Sequence, residues 1–431
     1  MQSFGNTFAS LFIVMGFDLL FLTPLILGLA GLASISPAAF AIFKRDFLAY
    51  FTNTTGYVFL CLFVAICGIT AFWSESFFSS NLVNLDPLNQ YLPLILLIFI
   101  PAITMSIWAE ERRLGTDELL LTMPTSDFDI VIGKYLAAVA IYTVSLLFSQ
   151  ICNFWVLSSL GSPDMGLFLS NYFGYWIVGL ALLSVGMVAS FMTKNLTVGF
   201  VLGIVFCAPL VIVSWADIIF PEEFARQLAQ FSISTKFFDF QSGVVSGASL
   251  IYFLMIITVM LYLSMVLIGR RHWSATQEGS ATTGHYVLRT IALILIAGSV
   301  SVAAAALQWG RFDITSEQLS SLSPKSIELI QALNKRDDPY VLKIEAFISK
   351  DLPKDFVQKR FNLLAALEEI KAVGGKRVKL RIYDDIDIFG ARANRAEALY
   401  GIKKESMLTT VRGAATTRDM IFGVAFEYGL Q

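Results

Sequence analysis

Eight apolar runs, each near the roughly 20 residues a helix needs to cross a bilayer, constrain this chain more than any other feature. They lie at about 8–33, 56–73, 92–108, 136–158, 172–192, 197–219, 248–268 and 288–308. The second and third are short and borrow flanking residues. The first carries Asp18 and Pro24 and follows no Lys or Arg, so it lacks the basic n-region of a cleaved signal peptide; a non-spanning hairpin is its alternative reading. Hydrophobic residues make up 56% of the chain and charged residues 15%, where a soluble domain carries roughly a quarter charged. The charges are also unevenly placed. Of 31 Lys/Arg and 33 Asp/Glu, 20 and 17 fall between Gly310 and Gln431. A membrane part is therefore followed by a soluble part. The near-balance of charge selects no partner.

The short loops set an orientation. Lys44, Arg45, Arg112, Arg113, Lys134, Lys194, Arg270, Arg271 and Arg289 share one side, against Arg226 and Lys236 on the other. The basic side is expected to face the cytoplasm, which places the charged tail outside.

On that inner side lies Ala109-Glu110-Glu111-Arg112-Arg113-Leu114-Gly115-Thr116-Asp117-Glu118-Leu119-Leu120-Leu121-Thr122-Met123-Pro124, the densest charge in the first three hundred residues. Leu114, Leu119, Leu120 and Leu121 interleave with the charges. The segment reads as a short amphipathic element at the membrane surface with its ionic groups in water, or as a solvated loop. Before the second run, Phe40, Phe43, Phe47, Tyr50 and Phe51 recur at helical spacing with Lys44, Arg45 and Asp46 opposite. This pattern predicts a helix lying flat in the inner headgroup layer. Between 216 and 247, Pro221-Glu222-Glu223 followed by Phe224, Leu228 and Phe231 suggests an interfacial helix on the outer side. Arg270-Arg271-His272-Trp273 anchors the seventh run, and Ser274 to His285 reads as a linker. In the tail, Val341 to Ser349 is strand-like, Asp355 to Ala372 helical and Val378 to Tyr383 strand-like, with shorter β segments from Lys403 to Tyr428. Strand, helix, strand argues for an α/β sheet.

Catalytic signatures are missing. The two histidines, His272 and His285, share one loop, with no His-Glu-x-x-His and no Gly-x-Ser-x-Gly. Gly279 to Tyr286 has phosphate-loop glycine spacing, but His285 stands where Lys is required and Tyr286 where Ser or Thr is required. Asp18 is the one carboxylate deep in an apolar run, a functional candidate by position. Cys61, Cys67, Cys152 and Cys207 lie in apolar runs without metal-ligand spacing and read as small buried hydrophobes. Asp384-Asp385-Ile386-Asp387 lacks the glycine and terminal Glu of a calcium loop. Lys376-Arg377-Val378-Lys379-Leu380-Arg381 has no interleaved aromatics, so no nucleic-acid partner is expected.

The motif from Ala109 to Pro124, with Gly133-Lys134-Tyr135 after it and Lys44-Arg45-Asp46-Phe47 through Tyr50-Phe51 before it, resembles the permease subunits of the ABC-2 transporter family, specifically those similar to the gliding-motility permease. The resemblance covers about residues 38–270. The tail, with Phe312-Asp313-Ile314-Thr315 and Leu322-Ser323-Pro324-Lys325, resembles the auxiliary extracytoplasmic subunit that accompanies such permeases. Residues 1–37 have no counterpart in the permease core, and the auxiliary family normally continues further to another anchor.

The resemblance implies an α-helical polytopic membrane protein: a six-helix ABC-2 core plus extra spans, about eight in all, with a C-terminal extracytoplasmic α/β domain. Its parts would be an N-terminal membrane segment (1–37), a permease domain (38–272), a cytoplasmic linker (273–287), an anchor (288–308) and an outer domain (309–431). It implies a permease in the inner (cytoplasmic) membrane, not itself an enzyme and without a cofactor of its own, since a separate cytoplasmic ATPase binds ATP and Mg²⁺. Glu110, Glu111, Arg112, Arg113, Gly115, Thr116, Asp117, Glu118 and Pro124 would contact that ATPase. Phe40, Phe43, Lys44, Arg45, Phe47, Tyr50 and Phe51 would form the interfacial helix. Further implied partners are a second permease copy, membrane lipids and an envelope protein on the outer domain. The competing reading is a non-transporting scaffold whose outer domain binds envelope proteins.

Overall fold

The computed structural model describes residues 2–73, 77, 83–122, 124–213, 231–270, 277–307, 310–315, 324–334, 340–349, 354–388, 390–411 and 414–429. The chain separates into two compact units, one of residues 1–77 and 83–314 and one of residues 78–82 and 315–431. The first is helical: α1 (Gln2–Ile35), α2 (Pro37–Thr52), α3 (Thr54–Phe72), α4 (Asp86–Leu114), α5 (Thr116–Thr122), α6 (Asp127–Leu160), α7 (Met165–Phe191), α8 (Leu196–Ile212), α9 (Ile233–Gln241), α10 (Gly247–Gly269) and α11 (Gln277–Leu307).

Helices lie over all eight apolar runs, but fewer than eight meet the length and composition of a span. Among the described residues five do: Asp86–Leu114, Asp127–Leu160, Met165–Phe191, Gly247–Gly269 and Gly284–Ala304. A sixth is reached if Pro37–Thr52 and Gly56–Phe72, bent by 76°, count as one broken span. Two departures have plain causes. Helix α8 has only 17 residues, about 26 Å at 1.5 Å per residue, and residues 214–219 lie outside those described. Of α1 only Leu25–Ile35 registers as a shorter apolar helix. The side chains of Asp18 and Pro24 lie outside the described residues, as do Phe224 and Leu228 of the expected outer helix; Phe231 is exposed. Helix α11 begins at Gln277, inside the stretch read as linker, and carries Gly279 to Tyr286 as helix rather than as a loop.

Small residues let these helices approach, as expected where lipid supplies no hydrophobic drive between them. A Cβ on Gly179 of α7 would lie 2.1 Å from the Tyr142 ring of α6, and one on Gly186 would lie 2.4 Å from Thr104 Oγ1 of α4. A Cβ on Gly133 of α6 would meet the Ala39 carbonyl of α2 at 2.6 Å. The buried core runs through α4, α6 and α7. Short strands β1 (Val244–Ser246) and β2 (Arg311–Asp313) pair antiparallel, joining the start of α10 to the chain beyond α11. Two of the four cysteines depart from expectation. Cys67 and Cys207 are buried, whereas Cys61 and Cys152 are exposed on the helix bundle, where a thiol is as compatible with lipid as with protein.

The second unit contains α12 (Pro324–Asn334), β3 (Leu342–Ser349), α13 (Lys354–Gly374), β4 (Val378–Ile386), α14 (Ala391–Tyr400), β5 (Glu405–Val411), β6 (Ala414–Met420) and β7 (Phe422–Tyr428). The sheet order is β4-β3-β7, with β3 parallel to β4 and antiparallel to β7. Central β3 is buried from Ile344 onward, as a strand covered on both faces should be. Strands β5 and β6 form a separate hairpin. The chain is thus an α-helical polytopic membrane protein with a small β-containing C-terminal domain.

Gly133→Val should detach α2 from α6 and cost about 1–3 kcal/mol through overpacking, read as a lower melting temperature in detergent. Gly298→Val is the control, since nothing lies within 4 Å of a Cβ there.

Candidate functional site at the basic end of the bundle

The site is built at one end of the helix bundle, where α2, α4 and α6 converge. Helix α2 starts cleanly: Ser36 Oγ accepts from Ala39 N–H and Pro37 occupies the first turn, where its missing N–H is no loss. Its aromatic rings run in a line, with centroids 5.9 Å (Phe40–Phe43), 5.8 Å (Phe43–Phe47) and 5.0 Å (Phe47–Phe51) apart. Tyr50 packs edge-on against Phe51 at 5.5 Å. Lys44 is exposed, and Arg45 is half-exposed.

Helix α6 opens on Ser126, whose Oγ accepts from Asp129 N–H. About two turns further in comes Lys134, only 1% exposed. An ammonium taken out of water at that depth is costly unless paired. Lys134 Nζ donates to Asp46 Oδ2 at 3.2 Å and to the Ile107 carbonyl at 3.0 Å, and lies 2.9 Å from Glu111 Oε2 as an ion pair. The ammonium also lies 4.8 Å from the centre of the Trp108 ring. Arg45 closes the group by donating to Glu111 Oε1 at 2.5 Å and to Asp46 Oδ1 at 2.7 Å. Two cations and two carboxylates from three helices make a neutral cluster.

The end of α4 is fastened on its other flank to α7. Ser190 Oγ accepts from the N–H groups of Trp108 and Ala109 at 3.2 and 3.3 Å and donates to the Met105 carbonyl at 3.1 Å. Arg112 donates to the Phe191 carbonyl and lies 5.3 Å from the Phe191 ring. Next to Lys134, Tyr135 donates to the Leu180 carbonyl at 3.0 Å.

The segment from Glu110 to Pro124 is not one element. Helix α4 continues to Leu114 and ends on Gly115, whose φ of 73° is left-handed and whose N–H donates to the Glu111 carbonyl. Such a cap suits glycine, which has no Cβ to clash. The short α5 then turns away, with Thr116 Oγ1 donating to the Glu111 carbonyl at 3.3 Å. The expectation that all its ionic groups face water is also corrected. Glu111 and Arg112 are 14% and 17% exposed, and Asp117 is 7% exposed with an oxygen 3.9 Å from Arg112. Burial follows from their partners within the bundle. Glu110 and Arg113 do face solvent, 3.7 Å apart, and Glu118 and Pro124 are exposed. The apolar side is split too: Leu120 is 3% exposed while Leu114 and Leu119 are 65% and 66% exposed. The side chain of Leu121 lies outside the described residues.

Three contributors were not singled out by sequence. Asp46 and Lys134 entered only as parts of the motif and as charges at the inner surface or on the polar face of α2, and Ser190 carried no reading. A lysine at the start of a long apolar helix was the available signal, because such a charge must find partners. Among the described residues no group of three or more His, Cys, Asp and Glu side chains could hold a metal ion.

Comparison with known families adds to this geometry. Residues 82–269 match the family described as ABC-2 family transporter protein. This match supports a permease component of an ABC transporter, in a multi-pass membrane protein. The family implies an ATPase as partner subunit. Residues 316–427 match a domain of unknown function (DUF7088). No curated protein and no solved structure was found to match the chain. The first matched segment includes Glu111 and Lys134, while Arg45 and Asp46 precede it.

Removing the hub should leave two carboxylates facing only Arg45. Lys134→Met is expected to lower the melting temperature in detergent more than Glu111→Gln does. In the double variant the effects should be less than additive, with a coupling of about 0.5–3 kcal/mol.

Proposed function

We propose that this chain is the membrane subunit through which a separate cytoplasmic ABC ATPase drives transport, and that the ATPase bears on the exposed face of Arg113, Leu114, Thr116, Glu118 and Leu119. One observation carries the reading. Two leucines about two-thirds exposed stand among charged groups at the end of a helix that is otherwise anchored on both flanks. An apolar ridge with a charged rim suits a protein partner, the charges giving orientation and partner choice more than net affinity.

Glu110 and Pro124 border that face. Glu111, Arg112 and Asp117 act behind it as anchors, Gly115 sets the angle between α4 and α5, and Thr116 ties them. A push on the face moves the end of α4, and the Lys134 cluster passes it to α2 and α6. ATP and Mg²⁺ belong to the ATPase, so the chain needs no cofactor for this role. In the full reading two such chains assemble in the inner membrane, α2 lies in the cytoplasmic headgroup layer, and the C-terminal domain is extracytoplasmic.

The test uses the permease reconstituted with its ATPase. Glu118→Lys combined with Leu119→Glu should reduce stimulated ATP hydrolysis at least several-fold while leaving the melting temperature of the isolated permease unchanged. Stimulation equal to that of the parent protein would remove this face from the coupling path.

A further inference from the structure

The C-terminal unit carries a surface that the coupling machinery does not use. Its three-stranded sheet has β4 at one edge and β7 at the other, and the two edges differ. Along β4, Lys379 and Arg381 are exposed, and such charges guard an edge against pairing with another strand. Strand β7 has neither proline nor lysine, and its one charged residue, Glu427, is taken up by Lys343 of β3 at 2.9 Å. Among the described residues no strand pairs with β7 on the side away from β3.

The pairing with β3 fixes where the backbone groups of β7 point. Ser349 N–H donates to the Ile421 carbonyl at 2.9 Å, and opposed residues of an antiparallel pair alternate between bonded and non-bonded. Residues 421, 423, 425 and 427 therefore direct their backbone groups to β3, while those of Phe422, Val424 and Phe426 point to the open edge. The same positions carry the large apolar side chains, on the face covered by α13. Phe422 packs 5.6 Å from Phe356 of that helix, and Val424 joins the cluster of Ile344, Ala346 and Leu367. Phe426 is 59% exposed. The opposite face of β7 holds Gly423, Ala425 and Glu427.

We propose that β7 pairs antiparallel with β7 of a second copy of this chain, merging two three-stranded sheets into one. The strand Phe-Gly-Val-Ala-Phe-Glu-Tyr is self-complementary in the register that sets Ala425 opposite itself. There Val424 meets the partner's Phe426, and Phe422 lies beside the partner's Tyr428, so apolar side chains adjoin on one face, where cross-strand pairs stabilise a sheet. On the other face Glu427 falls opposite the partner's Gly423, and no like charges oppose each other. The register also matches the backbone: Val424 and Phe426, both directed outward, form the bonded pairs, and Ala425 falls in a non-bonded pair with its Cα atoms about 4.5 Å apart. A shift by one residue would set outward-directed groups against inward-directed ones. Because both copies use the same patch, the contact closes as a two-fold dimer and does not propagate. The proposal concerns the C-terminal domain alone and holds whether or not the ATPase bears on α5.

The experiment uses the full chain in proteoliposomes, with the native cysteines replaced and copper phenanthroline as oxidant. Ala425→Cys lies on the two-fold axis. Two Glu427→Cys thiols would sit four residues apart along the paired strands, about 14 Å. That is beyond the reach of a disulfide, so Ala425→Cys should form the dimer disulfide at least about 10-fold faster. Adding Phe426→Pro removes one outward N–H and keeps the ladder to β3; it should slow the Ala425→Cys crosslink several-fold. Equal rates at the two cysteine positions, no dimer disulfide in a folded Ala425→Cys chain, or a rate that Phe426→Pro leaves unchanged would overturn the proposal. So would an Ala425→Cys chain that crosslinks to a different polypeptide, because the edge would then belong to another partner.

Discussion

A buried ammonium is the constraint on which the basic end of this molecule depends. Burying the Lys134 side chain at 1% exposure is costly unless oxygens surround it, and those oxygens come from two other helices. Asp46 brings α2 to it and Glu111 brings α4. Arg45 then holds the two carboxylates together from the more exposed side. Because Gly133 precedes Lys134, the backbone of α6 can approach Ala39 of α2 closely enough for the cluster to form. Sequence neighbours thus supply two different necessities, a missing side chain for approach and a charged one for fastening.

The same end of α4 is fastened to α7 by Ser190 and Arg112, so its last turns are held from both sides. The surface beyond them is held by less. Gly115 breaks the helix, α5 is short, and Leu114 and Leu119 remain exposed. In the proposed coupling role, an anchored helix end with an exposed apolar ridge gives an ATPase something to grip. The match of residues 82–269 to the ABC-2 transporter family supports the proposed coupling role.

Much of the fold was legible in the sequence because hydropathy and charge act over whole segments. The runs at 136–158, 172–192 and 248–268 became α6, α7 and α10, and the tail strands at Val341 and Val378 began within a residue of where the pattern put them. Shorter spans were less legible: α8 ends after 17 residues, and α3 bends away from α2. At the site, periodicity found the aromatic line of α2 and the charged stretch after Trp108, but not their connection. Charges that look solvated in one dimension, such as Glu111 and Asp117, are buried because their partners sit 23 positions away at Lys134 or around a glycine turn at Arg112. Pairing across helices has no local signature. The lone lysine inside an apolar helix is the only trace it leaves.

In the proposed coupling, α2 and the end of α4 move as one body through Lys134. Electron–electron double resonance between spin labels at Lys44→Cys and Glu110→Cys, after replacing the native cysteines, tests this in the permease–ATPase complex with ATP and with ADP. A single narrow distance distribution is expected, the same in both nucleotide states and broadened when Lys134→Met is added. A distance that shifts between ATP and ADP, or a distribution indifferent to the loss of Lys134, would contradict it.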